Sequence, residues 1–136
     1  MKIPESRLLL AGLLIAASSV AQAQGSRLSA EQKNEMEQRI EATAQADKEA
    51  CESMHGNVQD VCRIQAKWKE KIAKADLEFK HSGSDSDRAK LVDVKAEAEY
   101  EIARERCENL PANSWDACKQ RAQQQQSGDI RRKPGY

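Results

Sequence analysis

The chain has 136 residues, 22 basic and 22 acidic, with four cysteines. Charge balance with interspersed signs argues against a nucleic-acid partner, because phosphate binding needs a clustered positive field. It fits solvated helix faces instead.

The N-terminus reads as a secretory signal peptide, residues 1–23. Lys2 and Arg7 form a basic start, an apolar run spans Leu8 to Val20, and Ala21-Gln22-Ala23 is a small-x-small cleavage signal. Thirteen residues make about 20 Å of helix, short of a ~30 Å bilayer core, so no stable membrane anchor is expected after cleavage. Removing Lys2, Glu5 and Arg7 leaves 20 basic and 21 acidic residues in the mature chain. Leu, Ile, Val and Phe number only 14 of its 113 residues, too few for one large core. Alanine is abundant, and it favours helix while burying little. A thin core in an exported chain with an even cysteine count predicts disulfides.

The helical domain is predicted over residues 24–123. Ser29-Ala30-Glu31-Gln32 is a capping box that starts the first helix. Met36, Ile40, Ala44, Cys51 and Met54 recur at roughly helical spacing, and Gly56 offers a left-handed stop near His55. Asn57 reads as the N-cap of a second helix with Asp60 at its third position. Val58, Val61, Gln65, Trp68, Ile72, Ala75 and Phe79 then step by three and four, a coiled-coil-like seam. The seam packs either on the chain's own third helix, the preferred reading, or on a second subunit. Its interaction residues would be Val58, Val61, Trp68, Ile72 and Phe79. A polar break follows over His81 to Asp87. The third helix is predicted from about Asp87 to Asn109, with Val92, Ala96, Tyr100, Ala103, Cys107 and Leu110 inward. Pro111 ends it, Asn113 and Asp116 repeat the cap signal, and a short fourth helix covers Trp115 to about Gln123. Residues 124–136 read as a disordered tail.

Cys51–Cys62 and Cys107–Cys118 enclose related segments, CESMHGNVQDVC and CENLPANSWDAC. At an offset of 56, Glu49, Cys51, Glu52, Asn57, Asp60, Cys62 and Ala66 match Glu105, Cys107, Glu108, Asn113, Asp116, Cys118 and Ala122. The matches are staple, cap and packing positions, which a repeated structural unit keeps. On an unbroken helix each cysteine pair would stand about 16 Å apart, beyond the ~7 Å a disulfide tolerates. Local pairing therefore requires a chain reversal at Gly56-Asn57 and at Pro111 to Asn113. The competing arrangement runs helices straight through both motifs into one long hairpin centred in the break. There Cys62 would face Cys107 and Cys51 would face Cys118, as in the twin-cysteine hairpins of mitochondrial coiled-coil-helix domains. Local pairing is the preferred reading, because a glycine, a proline and two cap signals interrupt the straight run. The expected class is all-α: two disulfide-stapled helical hairpins, about 29–80 and 87–123, joined through long antiparallel middle helices.

No C-x-x-C pair occurs, so thiol redox catalysis is a minor alternative. Zinc on Cys51, His55 and Cys62 is another, weakened because Pro111 replaces the histidine in the second copy. His55 and His81 fall in turns with no paired nucleophile. No catalytic residue, cofactor or metal is expected, and the chain is read as a non-enzyme.

The motif C-E-x-M-x-G-N-x-x-D-V-C resembles small exported helical proteins of Gram-negative bacteria, whose repeated pattern is C-[DE]-x-L-x-G-N-x-K-D-V-C. Cys51, Glu52, Gly56, Asn57, Asp60, Val61 and Cys62 carry the resemblance, while Gln59 replaces the usual lysine. The second copy departs further, with Pro111-Ala112 and Trp115. Such proteins are sometimes labelled TolA-like for their alanine- and lysine-rich helices. The resemblance spans about residues 45–122 and implies the periplasm and a helical build, with no catalytic residues. The expected function is a non-enzymatic structural or interaction protein of the cell envelope, related to stress tolerance. It would be a monomer or weak homodimer, with an unidentified protein partner.

Overall fold

A computed structural model describes residues 27–131. The predicted signal peptide and the last five residues of the predicted tail lie outside them. Four helices occupy the described chain: α1 (Ala30–Cys51), α2 (Asn57–Ser82), α3 (Asp85–Cys107) and α4 (Ala112–Arg131). The class is all-α, with both disulfides local.

The capping box forms as expected. The Gln32 N–H donates to Ser29 Oγ at 3.1 Å, and the Ser29 N–H donates to Gln32 Oε1 at 2.9 Å. α1 stops at Cys51 rather than near His55. The chain must turn at once to bring Cys62 within bonding reach, and the Cys51–Cys62 Cα separation is 5.6 Å. Gly56 is not the left-handed stop of α1. It precedes α2 with φ 62° and ψ −152°, and its carbonyl accepts from the Gln59 and Asp60 N–H groups. That backbone region is essentially open to glycine alone. A Cβ added there would meet nothing within 4 Å. Gly56→Ala is therefore expected to cost about 1–3 kcal/mol, all of it backbone strain. Urea unfolding checks this, and a loss below about 0.5 kcal/mol would contradict the assigned conformation.

The predicted polar break is almost entirely consumed by helix. Only Gly83 and Ser84 lie between α2 and α3. Gly83 adopts the left-handed conformation, φ 63° and ψ 17°, and its N–H closes α2 on the Phe79 carbonyl at 2.8 Å. Ser84 caps α3 by accepting from the Asp87 N–H at 3.1 Å. Asp87 Oδ2 in turn accepts from the Ser82 and Ser84 hydroxyls. These two hydroxyls, Ser82 first, hold the Asp87 carboxyl below its ordinary value. The N-terminal lead into α1 docks on the same end. The Leu28 N–H donates to the Lys80 carbonyl, and His81 Nδ1 donates to the Leu28 carbonyl at 2.7 Å.

Each helix packs only on its neighbours in sequence: α1 on α2, α2 on α3, α3 on α4. The molecule is thus an open row of three hairpins with no central core. α2 and α3 are each covered from two sides. On α2, Trp68 and Ala75 are buried on one side, and Ala66 and Leu77 on the other, roughly 180° away at 100° per residue. Trp68 meets α3 through Glu101, while Glu70 and Ala73, on the Ala66–Leu77 side, face α1. On α3, Leu91 and Ala98 share one side, and Ala96 and Cys107 the other. Six of the eleven buried residues are alanine, and only Trp68, Leu77 and Leu91 are large. Small side chains let helix axes approach closely, and the apolar area removed from water stays low.

α4 extends to Arg131, past the expected end near Gln123. The glutamine run Gln123–Gln126 has good helix propensity, and Ala122 seats the helix against α3 at 3% exposure.

Candidate functional site at the stapled end

Both disulfides lie at one end of the row. Asn57 was expected to cap α2, but it is the first helical residue and serves another purpose. Its Nδ2 donates at 3.0 Å to the Glu105 carbonyl in the last turn of α3. That carbonyl is one of the four a helix leaves open at its C-terminus. The bond ties the first stapled loop to the turn of α3 that leads into the second. Asn113 does not cap α4 either. The Pro111 carbonyl does so, accepting from the Ser114 and Trp115 N–H groups. A proline imposes the required φ without a side-chain cap.

The two loops share their geometry bond for bond in the first half. The Glu52 N–H donates to the Glu49 carbonyl and the Met54 N–H to Cys51; Glu108 does the same to Glu105, and Leu110 to Cys107. Beside each staple an ion pair spans the same two positions. Arg63 reaches Glu52 at 3.1 Å, and Lys119 reaches Glu108 at 3.2 Å. At the offset of 56 Glu52 matches Glu108 and Arg63 matches Lys119, but the pairing itself is not among the sequence expectations. The signal is present: each acid follows the first cysteine of its loop, and each base follows the second. Closing the disulfide brings the two successors together. The loops then diverge. Gln59 Nε2 donates to the Cys51 carbonyl at 3.2 Å, whereas Trp115, at the matching position, donates its indole N–H to Glu108 Oε2 at 3.2 Å. Lys119 Nζ sits 3.3 Å from the Trp115 ring centroid. Lys119 first, then Trp115, hold the Glu108 carboxyl below its ordinary value.

The predicted seam is taken up largely within the chain. Trp68 is 1% exposed. Its indole N–H donates to Glu101 Oε2 at 3.0 Å, and Lys71 Nζ lies 4.2 Å from its ring centroid. Val61, Ile72 and Phe79 are half-buried. Val58 alone stands out, at 66% exposure. It joins Met54 and Leu110 as the exposed large apolar residues among those described, and all three are on the stapled end. All four sulfurs are in disulfides, so neither Cys51 nor Cys62 offers a thiolate to join His55. No helix among the described residues is long and apolar enough to cross a membrane.

Ion pairs lace α1 to α2 away from the staples. Lys33 meets Glu78 at 2.7 Å, and Lys74 meets Glu41 at 3.7 Å. Glu70 accepts from Lys48 and Lys74, each at 2.9 Å. These two bonds, Lys48 first, hold the Glu70 carboxyl below its ordinary 4.5. A carboxylate whose folded value is depressed stabilises the fold above its unfolded value, and the benefit is lost as pH falls through the folded value. Glu70→Gln is therefore expected to be less stable than the unaltered chain at about pH 7, with the gap closing below about pH 4.5. Urea midpoints across that range check it. A gap independent of pH would contradict the pairing.

No protein-family model, curated protein or solved structure matches the chain. Two disulfides in the folded chain belong to an oxidising, extracytoplasmic compartment.

Proposed function

We propose that the chain is a non-enzymatic structural and interaction protein of the bacterial periplasm, exported through a signal peptide cleaved after Ala23. In this reading the two stapled loops are copies of one unit, as in the small exported proteins its cysteine motif resembles. Together they present a contact surface to a protein partner in the cell envelope, in a role related to stress tolerance. The observation that carries the reading is the gathering of Met54, Val58 and Leu110 at the one end where both staples fix the backbone. Met54 and Leu110 occupy matching positions of the two loops. Rigid presentation of apolar side chains lowers the ordering cost of association. Glu52, Asp60 and Glu108 are exposed in the same two loops, and a protein contact has a polar rim.

Photo-crosslinking in cells tests it. A crosslinker placed at Val58 or Leu110 is expected to give a discrete product that Val58→Asp abolishes in the Leu110-labelled chain. The same label at Glu35, exposed on α1, is expected to give none. Identical patterns from all three positions, or no product from the tip, would overturn the reading.

A further inference from the structure

Along one edge of the α1–α2 contact the helices leave an open groove of about 260 Å³, which runs on α1 from Met36 to Asp47, one turn short of Cys51. Its walls are Met36, Ile40, Ala44 and Ala73. Two acids reach it, and both are neutralised. Asp47 Oδ2 lies 2.7 Å from Lys69 Nζ, in the geometry of an ion pair rather than an aligned hydrogen bond. Glu70 is held by Lys48 and Lys74. The groove's remaining cation, Arg39, is exposed, and its guanidinium has no ion-pair or hydrogen-bond partner among the described residues.

We propose that this groove binds a single aliphatic chain bearing an anionic head, with the chain along Met36, Ile40 and Ala73 and the head on Arg39. The proposal is independent of the contact surface at the stapled end. Size selects the chain. The groove exceeds the ~150 Å³ that holds a benzene ring and falls below the ~300–1,000 Å³ of sites for drug-sized ligands. Its volume suits one short chain. Charge selects the head. A free guanidinium is a planar fork that matches carboxylate or phosphate oxygens two at a time. The acids that would repel an anion are already paired. A cationic head would instead face Arg39 and Lys69.

Calorimetry on the mature chain tests the proposal with decanoate, decyl phosphate and decyltrimethylammonium, each below its micelle concentration. One or both anions are expected to bind at one per chain, and the cation at least about tenfold more weakly. The tighter of the two anions identifies a carboxylate or a phosphate source. Arg39→Gln is expected to weaken anion binding by about ten- to a hundredfold, the range of a charge-assisted hydrogen bond. Thr43→Phe, a change at an exposed residue lining the groove, is expected to block the chain's seat and abolish binding while helix content is unchanged. Absence of saturable anion binding, equal binding of the cation, or binding unaffected by both substitutions would overturn the proposal. So would a groove closed by a second copy of the chain, seen as dimerisation that decanoate does not shift.

Discussion

Replacing Cys107 and Cys118 together by alanine is expected to cost about 3 kcal/mol and to release α4 from α3. The loop closed by the bridge has a sequence separation of 11. Cross-linking a loop of that size removes about 3 kcal/mol of chain entropy from the unfolded state. The Cys51–Cys62 bridge closes an equal loop, and its removal should cost a similar amount. Small domains commonly have total stabilities of only 5–15 kcal/mol. Loss of both bridges, about 6 kcal/mol, therefore approaches or exceeds what this alanine-rich row can retain. The neighbouring ion pairs do not compensate. Arg63 and Glu52 are roughly half exposed, and exposed pairs contribute about 0–1 kcal/mol. Urea unfolding of the double-alanine variants measures the effect, and circular dichroism reports loss of α4 as reduced helicity. A cost below about 1 kcal/mol for either bridge would mean that the hairpins close without them.

Trp68→Ala is expected to be the most damaging single substitution, at about 3–5 kcal/mol. Trp68 is the largest of the fully buried side chains, and an open row cannot collapse around the void it would leave. The substitution also removes the donor that Glu101 Oε2 accepts from at 3.0 Å. Lys67 Nζ lies 3.9 Å from the same oxygen, so the carboxylate keeps a counter-charge. Trp68→Phe separates the two contributions. It retains most of the apolar burial and loses the indole donor, and should cost about 1–3 kcal/mol. In a double-mutant cycle with Glu101→Gln, the cost of Trp68→Phe should depend on which residue occupies position 101. Strict additivity would show that the bond contributes nothing.

The hairpins were legible because their signals are local. The Ser29 capping box, the glycine within the first cysteine loop and the proline within the second act over a few residues, and each is found at a turn. Helix ends were less legible at the staples. Asn57 and Asn113 look like caps by residue type, yet Gly56 and Pro111 hold those places. An asparagine amide can satisfy a carbonyl far along the chain as readily as a nearby N–H, and the Asn57–Glu105 bond spans 48 positions. The buried set was half legible for a geometric reason. A helix with one neighbour shows one apolar stripe, but α2 and α3 have two neighbours each. The stripe through Trp68 and Ala75 was read, and so was the Ala96–Cys107 side of α3. Leu77 on α2, and Leu91 and Ala98 on α3, occupy the opposite sides, with Ala66 beside Leu77 legible only as a packing position shared by the two repeats. Two opposed stripes cancel in any search for a single inward face. The α1–α2 groove had no sequence signature, since it arises from the register between two helices.

The central claim is that each disulfide closes on its own hairpin, and trypsin tests it directly. Lys48, Arg63, Arg106 and Lys119 flank the two loops, and neither loop contains a lysine or arginine between its cysteines. Under non-reducing conditions the account predicts two separate peptides, Glu49–Arg63 and Cys107–Lys119, each two hydrogens lighter than its reduced form. A single linked species containing both peptides would mean that the disulfides join one hairpin to the other, and would contradict the fold described.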